Sequence, residues 1–338
     1  MYSKTKYKKD DGTLVTPYIH AIKNNEFCSV SGLYSKDDVI LLKNLEYKSG
    51  PNYNPKIKIS DFEYPIESMS IDTNNNLYVA SNNRRVYKFD PNGVLLWDEK
   101  IHSGNISKIL ILNDYILTSS FDKTIAKIDL SGELIWQKEI HNNWISDLII
   151  DSEKNIITVG YDQSVKKLNS NGELIWSRDF FNNYQIKVQI DKNNNIYSLS
   201  TNNNITVLSP NGSVLNKLPL GKSTVSHFII DKSYFIYLAD KNNLFYKSDI
   251  LGNKIREFEL DGSATYFQFF EDKLIVFTDK HWAYILDANL GFINRFRIKN
   301  YNATTSIISS DIIYVADKNN EITGYSIKDS ILGFYIIE

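Results

Sequence analysis

The chain has 338 residues, of which 42% are hydrophobic and 13% aromatic, and its formal net charge is −2. That composition builds a packed core and excludes a disordered body, while the near-neutral balance removes any general pull toward nucleic acid or an anionic membrane. The single cysteine, Cys28, excludes an intramolecular disulfide framework and reads as a small buried hydrophobe in the strand-like run EFCSVSG. At the N-terminus Lys4, Lys6, Lys8 and Lys9 stand beside Asp10 and Asp11, so residues 1–16 read as a solvated tail or a strand at a seam. No apolar segment follows Met1, and no apolar run approaches the about 18 residues of a membrane span, so neither a standard signal peptide nor a spanning segment is expected.

From residue 17 onward one pattern repeats. Gly50, Gly93, Gly132, Gly172, Gly212, Gly252, Gly291 and Gly333 recur at intervals of 39 to 43 residues, and the text around three of them is nearly copied: DPNGVLLW, DLSGELIW and NSNGELIW. Within the unit at 105–143 the runs ISKILIL, DYILTSS, TIAKID and ELIWQKE are rich in β-branched and aromatic residues and are separated by Asn, Asp, Gly and Ser. These are four strands of an antiparallel meander joined by tight turns. The connections are too short for crossover helices, which excludes a parallel sheet.

Four strands in about 40 residues is the arithmetic of a β-propeller blade. The expectation is therefore an all-β chain forming a single β-propeller of eight four-stranded antiparallel blades, near 17–65, 66–104, 105–143, 144–183, 184–223, 224–263, 264–302 and 303–338. The count is seven if the loosely fitting first stretch is a cap instead of a blade. The last unit is expected to complete its own fourth strand with GFYIIE at 333–338.

The segments IHSGNISKILIL…LTSSFDKTIAKID at 101–129 and IHNNWISDLII…VGYDQSVKKL at 140–168 resemble WD40 repeats, and the NGELIW runs resemble PQQ-type propeller repeats. The WD40 resemblance implies a hydrogen-bond network inside the blade, for which the matching pairs are His102 with Asp122 and His141 with Asp162. The tryptophan that ends the third strand in that family is replaced by Ile128 and Leu168. These histidines are read as structural, with His227 assigned to a comparable repeat position. The Asp-Asn-Asn runs at 72–76 and 191–195 read as Asx turns instead of calcium loops. No catalytic, metal or cofactor site is expected.

Trp97, Trp136 and Trp176 repeat at one position of the outermost strand and are expected to pack between blades. Trp144 and Trp282 do not repeat. Together with Arg84, Arg85, Phe121, Tyr161 and Tyr184 they fall near connections that emerge on one face of a propeller. Non-repeating aromatic and arginine side chains on one rim are the material of a binding surface. The functional expectation is a non-enzymatic binding or scaffold protein, cytoplasmic or virion-associated, presenting that face to a protein partner. The alternatives are a structural subunit of a larger assembly, such as a phage tail or virion, and a glycan-binding propeller. Neither nucleic acid nor membrane is an expected partner.

Overall fold

The computed structural model describes residues 57–60, 62–181, 183–220, 225, 227–240, 242–299, 302–309 and 312–326, with short backbone strands at 7–8, 14–15, 19–23 and 26–30. The described residues form seven four-stranded antiparallel sheets in a ring. Blades 1 to 6 are meanders contiguous in sequence. Their first strands are Ile66–Ile71, Ile106–Ile111, Ile145–Ile150, Gln185–Ile190, Phe228–Ile230 and Ala264–Phe270, and the other three strands follow in chain order.

Blade 7 is composite. Ala303–Ser309, Ile312–Asp317 and Ile322–Ser326 supply three strands, and Ile57–Ile59 supplies the fourth, with Ile59 opposite Ile322, Lys58 opposite Thr323 and Ile57 opposite Gly324. Among the described residues the blade count is therefore seven, the alternative the sequence allowed, and not eight. The run KIKIS does form an outer strand, but of the last blade, and the hairpin pairing Ile19–Lys23 with Glu26–Val30 is a separate two-stranded sheet. The proposed closing strand at 333–338 lies outside the described residues. Strands 7–8 and 14–15 pair with each other.

The ring follows from burial on two sides. In blades 1 to 4 the second strands, LYVAS, YILTSS, IITVG and IYSLS, are buried at every position. Because successive side chains of a strand point to opposite faces, such a sheet needs apolar cover on both. Blade 2 shows the division: Ile116 packs with Tyr78 and Val86 of blade 1, while Leu117 packs with Ile145 and Leu148 of blade 3. The described core is accordingly seven apolar clusters, one at each junction between neighbouring blades. The seventh joins Ile322 and Tyr314 of blade 7 to Ile66, Leu77 and Val79 of blade 1 through Ile59, which leaves no gap for another blade.

The periodic glycines belong to the same junctions. Gly132, Gly172 and Gly212 turn the chain between third and outer strands with φ of 96°, 74° and 84°, a region that costs glycine nothing. Each also faces a tryptophan of the preceding blade: a Cβ would fall 3.3 Å from Trp97, 2.9 Å from Trp136 and 3.0 Å from Trp176, respectively. The indoles of Trp97 and Trp176 donate to the carbonyls of Leu130 and Pro210 at 3.2 and 3.1 Å. The repeating tryptophans therefore pack between blades. At Gly93 the neighbouring side chains are Ile57 and Ile59, so the closing strand fills the place that tryptophan holds elsewhere. At the turns between first and second strands, Asp72 and Asp191 each accept two backbone N–H groups through Oδ1 at 2.9 Å, which makes them Asx turns.

Ile59 is 7% exposed at the closing junction. Ile59→Asp is expected to cost about 3 kcal/mol through lost apolar burial and a buried carboxylate, and hydrogen exchange should accelerate first at Ile322–Ser326. Lys58→Ala, at a solvent-exposed ion pair with Glu321, should cost less than about 1 kcal/mol. Equal effects of the two substitutions on the melting curve would contradict closure by this strand.

Candidate functional site

One face of the ring carries the turns between second and third strands together with the connections from each outer strand to the next first strand. The two are stitched by backbone bonds. The N–H of Phe121 donates to the Asn105 carbonyl, that of Tyr161 to Trp144 and that of Thr201 to Tyr184, at 2.9, 2.8 and 3.0 Å. Blade by blade, this brings one residue of the turn beside one residue of the connection.

Across blades 2 to 4 four of those six places, all but Asn105 and Thr201, hold aromatics, and their rings form a continuous ladder. Phe121 stacks on Trp144 at 4.9 Å between centroids with 12° between planes; Trp144 meets Tyr161 at 5.5 Å; Tyr161 stacks on Tyr184 at 5.1 Å and 23°. Trp144 is 48% and Tyr184 44% exposed, so the ladder keeps open edges and faces to solvent. Gly160, at the end of the second strand of blade 3, allows the close approach: a Cβ there would lie 2.7 Å from the Trp144 carbonyl oxygen and 2.9 Å from His141 Nδ1. Phe181, 82% exposed on the connection that carries Tyr184, is a further aromatic that sequence reasoning passed over.

Beside Phe121 a cleft opens between blades 1 and 2, lined by Arg84, Lys100, His102, Asp122, Thr124 and Gln137 among others. Arg84 adopts φ of 73° at its turn, and among the described residues its guanidinium has no hydrogen-bond partner. The other two residues singled out from the sequence stand apart. Arg85 begins the third strand of blade 1 and is ion-paired to Asp98, while its Nη2 donates to the Asp98 carbonyl at 3.1 Å. Trp282 begins the third strand of blade 6, with the guanidinium groups of Arg295 and Arg297 at 4.2 and 4.0 Å from its ring.

The floor beneath the ladder is rigid. His102 Nδ1 lies 3.0 Å from Asp122 Oδ2 and its Nε2 2.8 Å from Thr118 Oγ1; His141 repeats this with Asp162 at 2.7 Å and Thr158 at 2.7 Å. Asp122 also accepts the backbone N–H of Ser103 and Thr124, and Asp162 that of Asn142 and Ser164. Burial works against both carboxylates, but the hydrogen bonds from His102 and Thr124, and from His141 and Ser164, hold their carboxyls well below the usual range. Charged and fully bonded, these aspartates fix the turns that present Phe121 and Tyr161.

His227 is not a third member of this set. It lies directly before the first strand of blade 5, Phe228–Ile230, where its Nε2 donates to the Phe267 carbonyl at 3.1 Å and its ring stacks on Tyr266 at 5.1 Å. Burial, with Lys187 nearby, pushes its pKa down to about 3. Among the described residues no group of three His, Cys, Asp or Glu side chains is placed to hold a metal ion.

Residues 115–242, from the second strand of blade 2 into blade 5, match the family model of the lambda-carrageenase beta-propeller domain. The matched region contains the whole ladder. No curated protein matches the chain. The fold defines the chain as a β-propeller, and within it lies a stretch similar to the propeller domain of a carrageenase. That match overturns the expectation of a non-enzymatic protein, since the similarity leads to a domain named for an enzyme that acts on a polysaccharide.

His141 and His227 both have folded pKa values lowered from 6.5. The unfolded chain therefore binds more protons below that value, and stability is lost as pH falls from about 6.5 toward the lower folded values. The melting temperature is expected to drop between about pH 7.5 and about pH 5, and His227→Gln should shrink the drop. A variant with an unchanged pH slope would show that His227 stays neutral in neither state or both.

Proposed function

We propose that the protein engages a polysaccharide, laying the chain across the ladder of Phe121, Trp144, Tyr161 and Tyr184. The observation that carries this reading is the ladder itself: four rings in unbroken contact, on one face, at places where the other described blades carry polar or small residues. Aromatic faces offer flat apolar area for the C–H faces of sugar rings, and neighbouring polar groups supply orientation. The cleft beside Phe121 provides such groups in Arg84, Lys100 and Gln137. The similarity of residues 115–242 to a lambda-carrageenase propeller domain supports a carbohydrate ligand and favours a carbohydrate-active enzyme.

Rigidity favours this use of the face. The rings are held by paired backbone segments and by the His–Asp contacts below, so little ordering entropy is lost when a ligand docks. Asp122 spends its oxygens on structural donors and serves as an anchor for the cleft wall.

Affinity electrophoresis of the full chain through gels loaded with a panel of neutral, carboxylated and sulfated polysaccharides tests the reading, with a reducing-end assay on the same panel. At least one polymer should retard the protein. Trp144→Ala, exposed and outside the blade cores, should weaken retardation by about tenfold, the loss of roughly 1.4 kcal/mol of stacking, without lowering the melting temperature by more than a few degrees. No retardation by any polymer, or identical retardation of the variant, would refute it.

A further inference from the structure

The ring axis holds a second concentration of polar groups. In six blades the register between first and second strands shifts near the start, and the residue directly after the shift is Ser68, Lys108, Asp147, Lys187, Tyr266 or Thr305; in blade 5, His227 stands 40 residues after Lys187 and directly before Phe228, the first paired residue of that blade. One level of the ring is therefore polar in strands that are otherwise mostly apolar. Its members meet across blades: Lys187 Nζ of blade 4 reaches Asp147 Oδ2 of blade 3, and the His227 ring of blade 5 stacks on Tyr266 of blade 6 at 5.1 Å. Lys108, Lys187, His227 and Tyr266 all retain solvent-accessible surface despite lying deep within the ring.

The bonding at this level is incomplete. Lys187 Nζ stands 4.0 Å from Asp147 Oδ2, and that oxygen already accepts the Val188 N–H at 3.1 Å. Asp147 is 3% exposed, yet its Oδ1 has no hydrogen-bond partner among the described residues. Lys108 has neither a hydrogen bond nor an ion pair among them. His227 is neutral and adds no charge. Two part-exposed ammonium groups thus accompany one buried carboxylate, which leaves this level with an excess positive charge. The excess is positive, which selects an anion; the orphaned Asp147 oxygen is an acceptor, which selects a ligand that also carries a hydroxyl donor.

We propose that this axial level binds a small hydroxylated carboxylate, its charge held between Lys108 and Lys187 and one hydroxyl donating to Asp147 Oδ1. The class covers free hydroxy acids and uronic acid units. Tyr266, stacked on His227, forms the wall opposite. The site lies about 10 Å below the loop face, three residues along each strand from Trp144 to Asp147 and from Tyr184 to Lys187. It does not depend on the ladder.

The test is titration of the full chain with D-glucuronate, acetate and D-glucose, followed by calorimetry and by the imidazole resonances of His227. Glucuronate is expected to bind and shift those resonances, acetate to bind at least about tenfold more weakly, and glucose not to bind. Lys108→Met should weaken glucuronate at least about tenfold without lowering the melting temperature, and Asp147→Asn should erase the preference for glucuronate over acetate. Trp144→Ala should leave all of this unchanged, which separates the axial site from polysaccharide engagement at the ladder. An oligouronide that binds where glucuronate does not, and loses binding in Trp144→Ala, would assign anion recognition to the ladder and overturn the axial site. So would unshifted His227 resonances, equal binding of glucose, or an unaffected Lys108→Met variant.

Discussion

Every blade of this protein is a sheet with two apolar faces, and that constraint decides the rest. A sheet covered on one side only would leave half of strands such as Tyr115–Ser120 in water, at roughly 25 cal/mol for each Å² of apolar surface. Stacking neighbours removes the problem for all but the two ends, and bending the stack into a ring removes the ends. The junction of blade 7 with blade 1 is therefore the place where the repeat becomes a closed molecule. There the pattern departs from itself: Ile57 and Ile59 pack against Gly93, where Trp97, Trp136 and Trp176 meet the next glycine along.

Strand order, blade size and the role of the periodic glycines were legible in the sequence because each rests on local signals: period-two patterning, turn residues and a glycine every 40 or so positions. The blade count was not, because the segment at 17–65 and the unit at 303–338 each carry runs that read as strands. Which run pairs with Ile322–Ser326 is settled by a contact more than two hundred residues long in sequence, beyond the reach of local pattern. The ladder was half legible. Phe121, Trp144, Tyr161 and Tyr184 stood out as aromatics without repeat counterparts, but nothing local separated them from Trp282, which Arg295 and Arg297 approach, or from Arg85, which Asp98 holds. The axial level was missed for a different reason. Lys108, Asp147 and Lys187 carry no signal one at a time, His227 reads as a counterpart of His102 and His141, and their alignment emerges only when the first strands are compared across blades.

The two sites share scaffolding. Trp144 and Asp147 belong to one stretch of blade 3, and Tyr184 and Lys187 to the matching stretch of blade 4, so the same strands carry apolar rings at the face and charges toward the axis. The His–Asp contacts brace the turns from behind and leave the ladder's own edges free. This division lets a rigid frame carry two kinds of chemistry without altering its core, in keeping with the way function varies over a retained fold.

The origin of the closing strand bears on how the chain is made. Ile57–Ile59 leaves the ribosome long before Ile322–Ser326, and at roughly 5–20 residues per second it waits on the order of 15 to 50 s for its partner. Throughout that interval the nascent molecule is an open arc with an uncovered sheet at its leading end, the arrangement most exposed to chaperones and to pairing with a neighbouring chain on the same message. The ring is completed only after Ile322–Ser326 has been made, so a ribosome that stalls before residue 322 releases an arc instead of a propeller.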